Sequence, residues 1–495
     1  MRPVLPVTRP FALLDATQTR ALEQRVAATL EAHVLMRRAG HAVARLAMAL
    51  APHSQSFWVA AGPGNNGGDG LEAAIVLQAA GKEVTVSLLG EPERLPADAA
   101  DALARARAAG VSIDAAPAPV RAPQFAIDAL LGVGADRAPG GRLAEAIRAL
   151  AGVAGPVLAV DLPSGLDART GQPLGPDCVV ASHTLAMLTL KPGLFTGAGR
   201  DHAGEVWLDC LGVDAGTDPA AAWLTGLEAA PARRHDSNKG SYGDVAVVGG
   251  APGMTGAGLL AGRAALAAGA GRVYLALLDR GTGAPRIDVW HPELMFRDDW
   301  GQASPAVMNR TTVVCGCGGG DAVRGLLPRL LTHAGRLVLD ADALNALATD
   351  TSLVALVRAR RGRGRGTVLT PHPLEAARLL GTGTAEVQAD RLGAGHALAQ
   401  RFGCTVVLKG SGSVIAAPDH VPRINSTGNA ALATAGTGDV LAGWLGGQWA
   451  QRHGPDEAAL AFDIAALAVA QHGAGAEPMP SGSLRASDLI GRLRG

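Results

Sequence analysis

Three clusters in the first half of the chain hold residue types able to do chemistry. The string G-P-G-N-N-G-G-D-G (62–70) sits between a strand-like and a helix-like segment. Its glycines let backbone approach a ligand closely, and the helix that follows presents N–H groups suited to phosphate. Asn65, Asn66 and Asp69 add polar side chains, which makes the string far more specific than a bare G-x-G-x-x-G. Asp128 ends a second strand and is followed by L-L-G-V-G-A-D-R (130–137). V-D-L-P-S-G-L-D (160–167) places Asp161 and Ser164 just beyond a third. Open α/β sheets bind ligands at the carboxyl ends of their strands. Asn, Ser and carboxylate oxygens suit a hard cation, and their backbone neighbours suit phosphate. Singly, Asp128 or Ser164 would read as a turn or cap residue; three clusters at equivalent strand ends read as a site.

In the second half, N-S-T-G-N-A-A-L-A-T-A-G-T-G-D-V-L-A-G (425–443) is the strongest signal. The N–H groups of Gly436, Thr437 and Gly438 can form an anion hole at a helix start placed near Val440. Asp439 beside them can take a proton from a hydroxyl that attacks phosphorus. Alone, Asp439 would read as a first-turn acid favoured by the helix dipole. V-V-L-K-G-S-G-S-V-I-A (406–416) predicts strand, glycine turn and strand, with Lys409 at the turn. T-P-H-P-L-E-A-A-R (370–378) predicts a helix from Pro373 with His372 before it, placed either as a loop residue or as a ligand contact. D-A-D-A-L-N (340–345) brings Asp340, Asp342 and Asn345 to the same edge.

The elements that must position these residues follow a βα rhythm. A helical stretch over 20–50 precedes strands at 57–61, 83–89, 125–131 and 156–162, with helices at 71–80, 97–109 and 142–151 between them. A second series follows, with strands at 244–250, 272–278, 311–315, 336–340, 367–370 and 405–408, and a small-residue helix at 256–269. Strands alternating with helices predict parallel sheets covered on both faces. Composition changes over 213–243, where Asp214, Gly216, Asp218, Pro219 and Pro231 precede R-R-H-D-S-N-K-G-S-Y-G, so a domain boundary is placed near residue 225. The motifs of the halves do not repeat.

Composition excludes several classes. The chain has 495 residues and is 48% hydrophobic, enough for a large core. Lys+Arg (44) balance Asp+Glu (44), which argues against a nucleic-acid coat or a polybasic membrane binder. Aromatics are only 3%, too few for a stacking platform for single strands. The basic run R-A-R-R-G-R-G-R-G (358–366) reads as a solvated loop, with phosphate or RNA contact as the alternative. Five scattered cysteines do not form a disulfide framework, and Cys315-x-Cys317 lacks a second ligand pair for zinc. Neither a leader nor an uncharged apolar run of membrane-spanning length is apparent, so a cytoplasmic protein is expected.

The first-half strings, with V-L-M-R-R-A-G (34–40) and M-L-T-L-K-P-G-L (187–194), resemble the epimerase domain of NAD(P)H-hydrate repair enzymes over roughly residues 10–215. The resemblance implies that Asn65, Asn66, Gly67, Gly68 and Asp69 contact the hydrated dinucleotide. Gly132, Val133, Gly134, Ala135, Asp136, Arg137 and Ala138 would face it too, together with Asp161. It implies a potassium ion on Asn66, Asp128 and Ser164. Inverting the hydrated ring carbon needs proton transfer at the leaving and returning oxygen, and Asp161 is the candidate acid/base.

The second-half strings resemble ADP-dependent NAD(P)H-hydrate dehydratases, relatives of ribokinase-like kinases, from about Lys239 onward. There the resemblance implies hydrate contacts at Gly258 and Gly318, at His372, Pro373, Leu374, Glu375, Ala376, Ala377 and Arg378, and at Asp439, which would be catalytic. ADP would lie on Lys409, Gly410, Ser411, Gly412 and Ser413. It would also meet Asn429, Ala430, Ala431, Leu432, Ala433, Thr434, Ala435, Gly436, Thr437 and Gly438. Two departures stand out: Asn238 where the family has His, and G-C-G-G-G (316–320) where it has G-P-G-L-G, which should loosen that loop.

The expected fold is α/β in two domains. A Rossmann-like three-layer sandwich over 1–225 would be the epimerase, and a ribokinase-like one over 226–495 the dehydratase. The expected activity equilibrates R and S hydrates and dehydrates the S form with ADP, giving AMP and phosphate. K+ would serve the first domain, and ADP with Mg2+ the second. The expected partners are NADHX, NADPHX, ADP and further copies of the chain, with no nucleic acid and no membrane. Two rivals remain: a ribokinase-like kinase for a vitamin precursor such as a hydroxymethylpyrimidine, and a non-enzymatic ligand-binding or protein-interaction module in the first half.

Overall fold

The computed structural model describes residues 1–213, 219–227, 233, 235–477 and 483–493. Asp214, Gly216, Asp218 and Pro231, on which the boundary reading rests in part, lie outside the described residues. The chain divides into two compact units, Met1–Pro6 with Phe11–Leu224 and Val7–Pro10 with Thr225–Gly495.

In the first unit, parallel strands lie in the order Glu205–Asp209, His183–Met187, Val157–Val160, Phe125–Ala129, Ser56–Ala61, Glu83–Leu88 and Ser112–Asp114. Alternate side chains of each strand point to opposite faces. Phe57, Val59 and Ala61 therefore pack with helices Val34–Leu50, Asn65–Ala79 and Ala97–Ala108, whereas Trp58 and Ala60 pack with helix Gly141–Ala151. The result is three layers. From Ser56–Ala61 the chain builds outward in one direction, then returns to Phe125–Ala129 and builds in the other. That reversal opens a crevice at the carboxyl ends of these two strands.

The second unit repeats the logic with different parts. Parallel strands run in the order Met295–Phe296, Arg272–Leu277, Asp244–Gly249, Thr312–Cys315, Arg336–Leu339, Gly366–Leu369 and Thr405–Leu408. Val414–Ala416 and Arg423–Asn425 continue the sheet antiparallel. Val245 and Val247 face helices Thr255–Ala267, Thr437–Ala450 and Glu457–Ala474, while Ala246 and Val248 face the helices between Leu327 and Phe402. The reversal lies between Asp244–Gly249 and Thr312–Cys315.

Three expectations about helices need correction. The stretch 20–50 is two helices, Ala16–Ala27 and Val34–Leu50, because His33 takes a left-handed conformation (φ 64°) at the break. Asn65–Asp69 is not a loop: the helix begins at Asn65 and runs to Ala79. Three glycines in its first six residues oppose helix formation by intrinsic preference. Close packing requires them. A Cβ on Gly67 would lie 2.1 Å from the Gly62 carbonyl oxygen, and one on Gly70 would lie 2.6 Å from the Ala129 Cβ. The second-unit helix likewise starts at Thr437, before the expected Val440. Strands His183–Met187 and Glu205–Asp209 were not anticipated from the sequence.

Candidate active sites

The crevice of the first unit opens into a cavity of about 970 Å³. Asn65, Asn66 and Asp69 line it from the helix start, Gly132–Ala138 from the loop after Phe125–Ala129, and Asp161 from the end of Val157–Val160. Gly67 and Gly68 are absent from the lining; they are buried where the helix meets its neighbours.

Asp128 and Ser164 also lie beneath the wall rather than in it, both fully buried. Asp128 accepts the Ser164 hydroxyl at 2.6 Å, the Ser164 N–H at 2.8 Å and the Leu130 N–H at 3.2 Å. None of these partners is charged, and burial pushes the Asp128 carboxyl up to about 6 against their opposing effect. The Leu131 N–H donates to Ser164 Oγ at 2.8 Å, which ties the pair to the cavity wall. Asn66 has a buried amide nitrogen without a hydrogen-bond partner. A buried carboxylate lacking a cationic partner, and an unsatisfied buried amide whose oxygen and nitrogen are interchangeable by a flip, are groups suited to a hard cation.

Asp161 adopts a left-handed conformation (φ 66°) unusual for a residue with a side chain. Its Oδ1 accepts the Met187 N–H at 3.1 Å and is ion-paired with Lys191. Lys191 was not singled out in the sequence, where it is one letter in M-L-T-L-K-P-G-L; a lone lysine in a largely apolar segment was the available signal. Glu23, from helix Ala16–Ala27, is a further acid on the cavity missed by the motif reading. Burial, then the charge of Asp161, raises the pKa of Glu23 and raises that of Asp69 well above the ordinary range.

The second-unit edge gathers groups from five strand ends or loops. Lys409 donates to Asp340 Oδ1 at 2.8 Å, and Thr370 donates to the same oxygen at 2.7 Å. Ligand atoms of Cys317, Asp340 and Asp439 all lie within 4.8 Å of one another. A Cβ on Gly438 would lie 3.3 Å from Lys409 Nζ, so the lysine lies against the G-T-G-D turn. Burial first, then Asp340, pushes the Asp439 carboxyl up to about 6, opposed by Cys317 and Lys409. Burial disfavours the charge on Lys409, but Asp340 and Glu375 hold its pKa above the ordinary lysine value.

Around this centre the expected residues divide. Gly258 is buried near Gly250, and Gly318 (φ 56°) sits against Met254 and Ala257, which no L side chain would allow. The G-C-G-G-G loop lacks the family proline but is pinned: Ala251 N–H donates to Gly318 O at 2.7 Å and Gly320 N–H to Asp342 at 2.8 Å. Asp342 also accepts from Asn345 at 3.3 Å, and Asn345 accepts from Arg378 at 2.8 Å, so a relay joins the loop to helix Pro373–Leu380. His372 caps that helix, its Nδ1 accepting from Leu374 and Glu375, while Glu375 accepts the His372 N–H at 2.8 Å. Burial, then Lys409, lowers the pKa of His372.

Asn429 caps the short turn Ala430–Leu432. The Thr437 hydroxyl donates to Leu432 O and Thr434 O, each at 2.9 Å, locking that turn to the helix start. The anion hole expected from three N–H groups is narrower: that of Thr437 is directed at Thr434 O, 3.4 Å away. His472, also unanticipated, holds Thr437 O at 2.9 Å, and burial drives its pKa down to about 4. Cys315 and Cys317 lie in the cores on opposite faces of the sheet. Asn238 caps a short helical turn, accepting the Gly240 N–H at 2.8 Å.

Residues 32–193 match the family described as YjeF-related protein N-terminus, and residues 245–489 match NAD(P)H-hydrate dehydratase. The Escherichia coli K12 bifunctional NAD(P)H-hydrate repair enzyme is 35% identical over 515 residues, covering 99% of this chain and 94% of its own length. The chain belongs to the bifunctional NAD(P)H-hydrate repair enzymes. Its two units accordingly have the α/β three-layer architecture expected. The ADP-dependent (S)-NAD(P)H-hydrate dehydratase of Neisseria meningitidis is 42% identical over 261 residues, covering 52% of this chain and 84% of its own. The Bacillus subtilis ADP/ATP-dependent NAD(P)H-hydrate dehydratase, co-crystallised with ATP/Mg2+, is 31% identical with a TM-score of 0.43. It covers 53% of this chain and 92% of its own. Among the described residues no helix is long and apolar enough to cross a membrane.

Proposed function

We propose that residues 1–225 equilibrate the R and S hydrates of NADH and NADPH, and that residues 226–495 dehydrate the S form with ADP. The observation that carries this reading is the pair of separate centres. Asp161 opens onto a cavity of dinucleotide scale, and Asp439 sits beside Lys409 at a glycine-rich helix start.

In the first centre Asp161 acts on the hydroxyl of the hydrated carbon. Oxygen departs from one face and returns to the other, and Asp161 handles the proton on that oxygen. Asn66, Asp128 and Ser164 would hold a potassium ion, whose chemistry is to offset ligand phosphate charge and neutralise the buried Asp128. In the second centre Asp439 accepts the hydroxyl proton as the oxygen attacks the β-phosphorus of ADP, releasing AMP. Loss of phosphate with a ring proton restores the double bond of NAD(P)H. Gly436 and Gly438 supply backbone dipoles toward the transferring group, and Lys409 stands beside them. Mg2+ accompanying ADP would share the phosphate charge. The test is incubation of pure S hydrate with ADP and with buffer alone. ADP-dependent NAD(P)H recovery with stoichiometric AMP supports the reading, and recovery without AMP overturns it. A phosphorylated hydroxymethylpyrimidine as the better product would favour the kinase alternative.

A further inference from the structure

Lys191 is fully buried, and its side chain reaches the cavity of the first unit. An ammonium has three N–H bonds to give. Here they go to the Asp161 carboxylate, Met187 O at 3.1 Å and Thr189 O at 3.0 Å. No donor is left over for a ligand phosphate, so this is not an anion-binding lysine. Among the described residues, both hydrogen bonds to the Asp161 carboxylate, from Lys191 and from the Met187 N–H, go to Oδ1. The other oxygen, Oδ2, is the one left to face substrate.

We infer that Lys191 is the positioning residue of the epimerase centre: it ties down one oxygen of Asp161 and presents the other to the hydrate. This rests on the reading of Asp161 as the proton-handling group. The need for a cation follows from the surroundings. Glu23 and Arg20 face the cavity from helix Ala16–Ala27, Asp69 from helix Asn65–Ala79, and Asp98 from helix Ala97–Ala108 with His33 bonded to it. Asp136 and Arg137 face it from the loop. These four carboxyl groups thus share the cavity with Asp161, while Arg20 and Arg137 are exposed and Lys191 is the buried cation on it. Without Lys191, Asp161 would keep only the Met187 N–H to fix its orientation among these like charges.

The experiment is steady-state kinetics of epimerisation for Lys191→Met and Lys191→Gln in the full chain, with Asp161→Asn and the double variant Asp161→Asn/Lys191→Met alongside. Lys191→Met should lower kcat roughly ten- to hundredfold with KM little changed. Lys191→Gln keeps hydrogen-bond donors, so it should recover part of that loss in kcat. It carries the test if the Met variant does not fold. The double variant should be no slower than Asp161→Asn. Parental kcat in the soluble variants, or a double variant slowed by the product of the single effects, overturns the inference. Near-normal epimerisation by Asp161→Asn overturns the reading of Asp161 itself, a distinct result.

Discussion

Both units place an aspartate and a buried lysine together at the carboxyl edge of a parallel sheet, but they pair them differently. In the first, Lys191 binds Asp161, the proposed proton carrier itself. In the second, Lys409 binds Asp340 and leaves Asp439 outside the ion pair, with its carboxyl pushed up to about 6. The first arrangement fixes the orientation of that carboxylate on a large cavity. The second leaves the proposed base to titrate at about 6, near neutrality, where general-base catalysis is most effective. The same two residue types thus serve two proton tasks, and the partner of the lysine decides which.

The contrast breaks most visibly at Asp439. Asp439→Asn keeps shape and hydrogen bonding but removes the base, so dehydration of S hydrate should fall on the order of 10²–10⁴, roughly 3–5 kcal/mol of barrier. ADP binding and epimer exchange should persist. Near-normal dehydration would reduce Asp439 to a residue favoured at a helix start. Asp128→Ala should slow epimerisation roughly ten- to hundredfold and abolish any potassium dependence, with dehydration of pure S hydrate untouched. A titration of epimerase rate against K+ that is flat in the parent chain would contradict the cation site.

The pH profiles sharpen the comparison further. Asp439 works unprotonated, so dehydration should lose about tenfold per pH unit below about 6. A dehydratase limb lying well below that value would show that burial does not set the base. The smallest catalytic effect is expected at His472. His472→Gln retains a donor for Thr437 O and should stay near parental activity at neutral pH. Its signature is stability. The folded pKa, about 4, lies below the ordinary 6.5, so His472 contributes stability that is present above 6.5 and lost as pH falls through about 4. Melting followed between those values should show the parent chain losing roughly 3 kcal/mol more than the glutamine variant.

Much of this was legible because strand ends and glycine strings are local signals. Asn65, Asn66, Asp69 and Asp161 reach one cavity as the βα rhythm required, and Lys409, Gly438 and Asp439 converge from segments separated in sequence. What was not legible depends on tertiary contact. The helix starting at Asn65 defies its glycine content because only glycine lets it approach Gly62 and Ala129. Lys191 and His472 look like ordinary residues of apolar segments until their partners, Asp161 and Thr437, are brought alongside. Cys317, beside Asp340 and Asp439, could not be assigned from a loop motif alone.

The central claim is that one chain carries both reactions on separate centres. It is tested most directly by incubating mixed R and S hydrate with ADP and K+, following NAD(P)H absorbance and the epimer ratio together for the parent chain, Asp161→Asn and Asp439→Asn. The account predicts full recovery by the parent. Asp161→Asn should rapidly consume the S fraction and leave R hydrate behind. Asp439→Asn should leave both epimers at equilibrium, with no gain in absorbance. Rapid consumption of R hydrate by Asp161→Asn, or full recovery by Asp439→Asn, would contradict it.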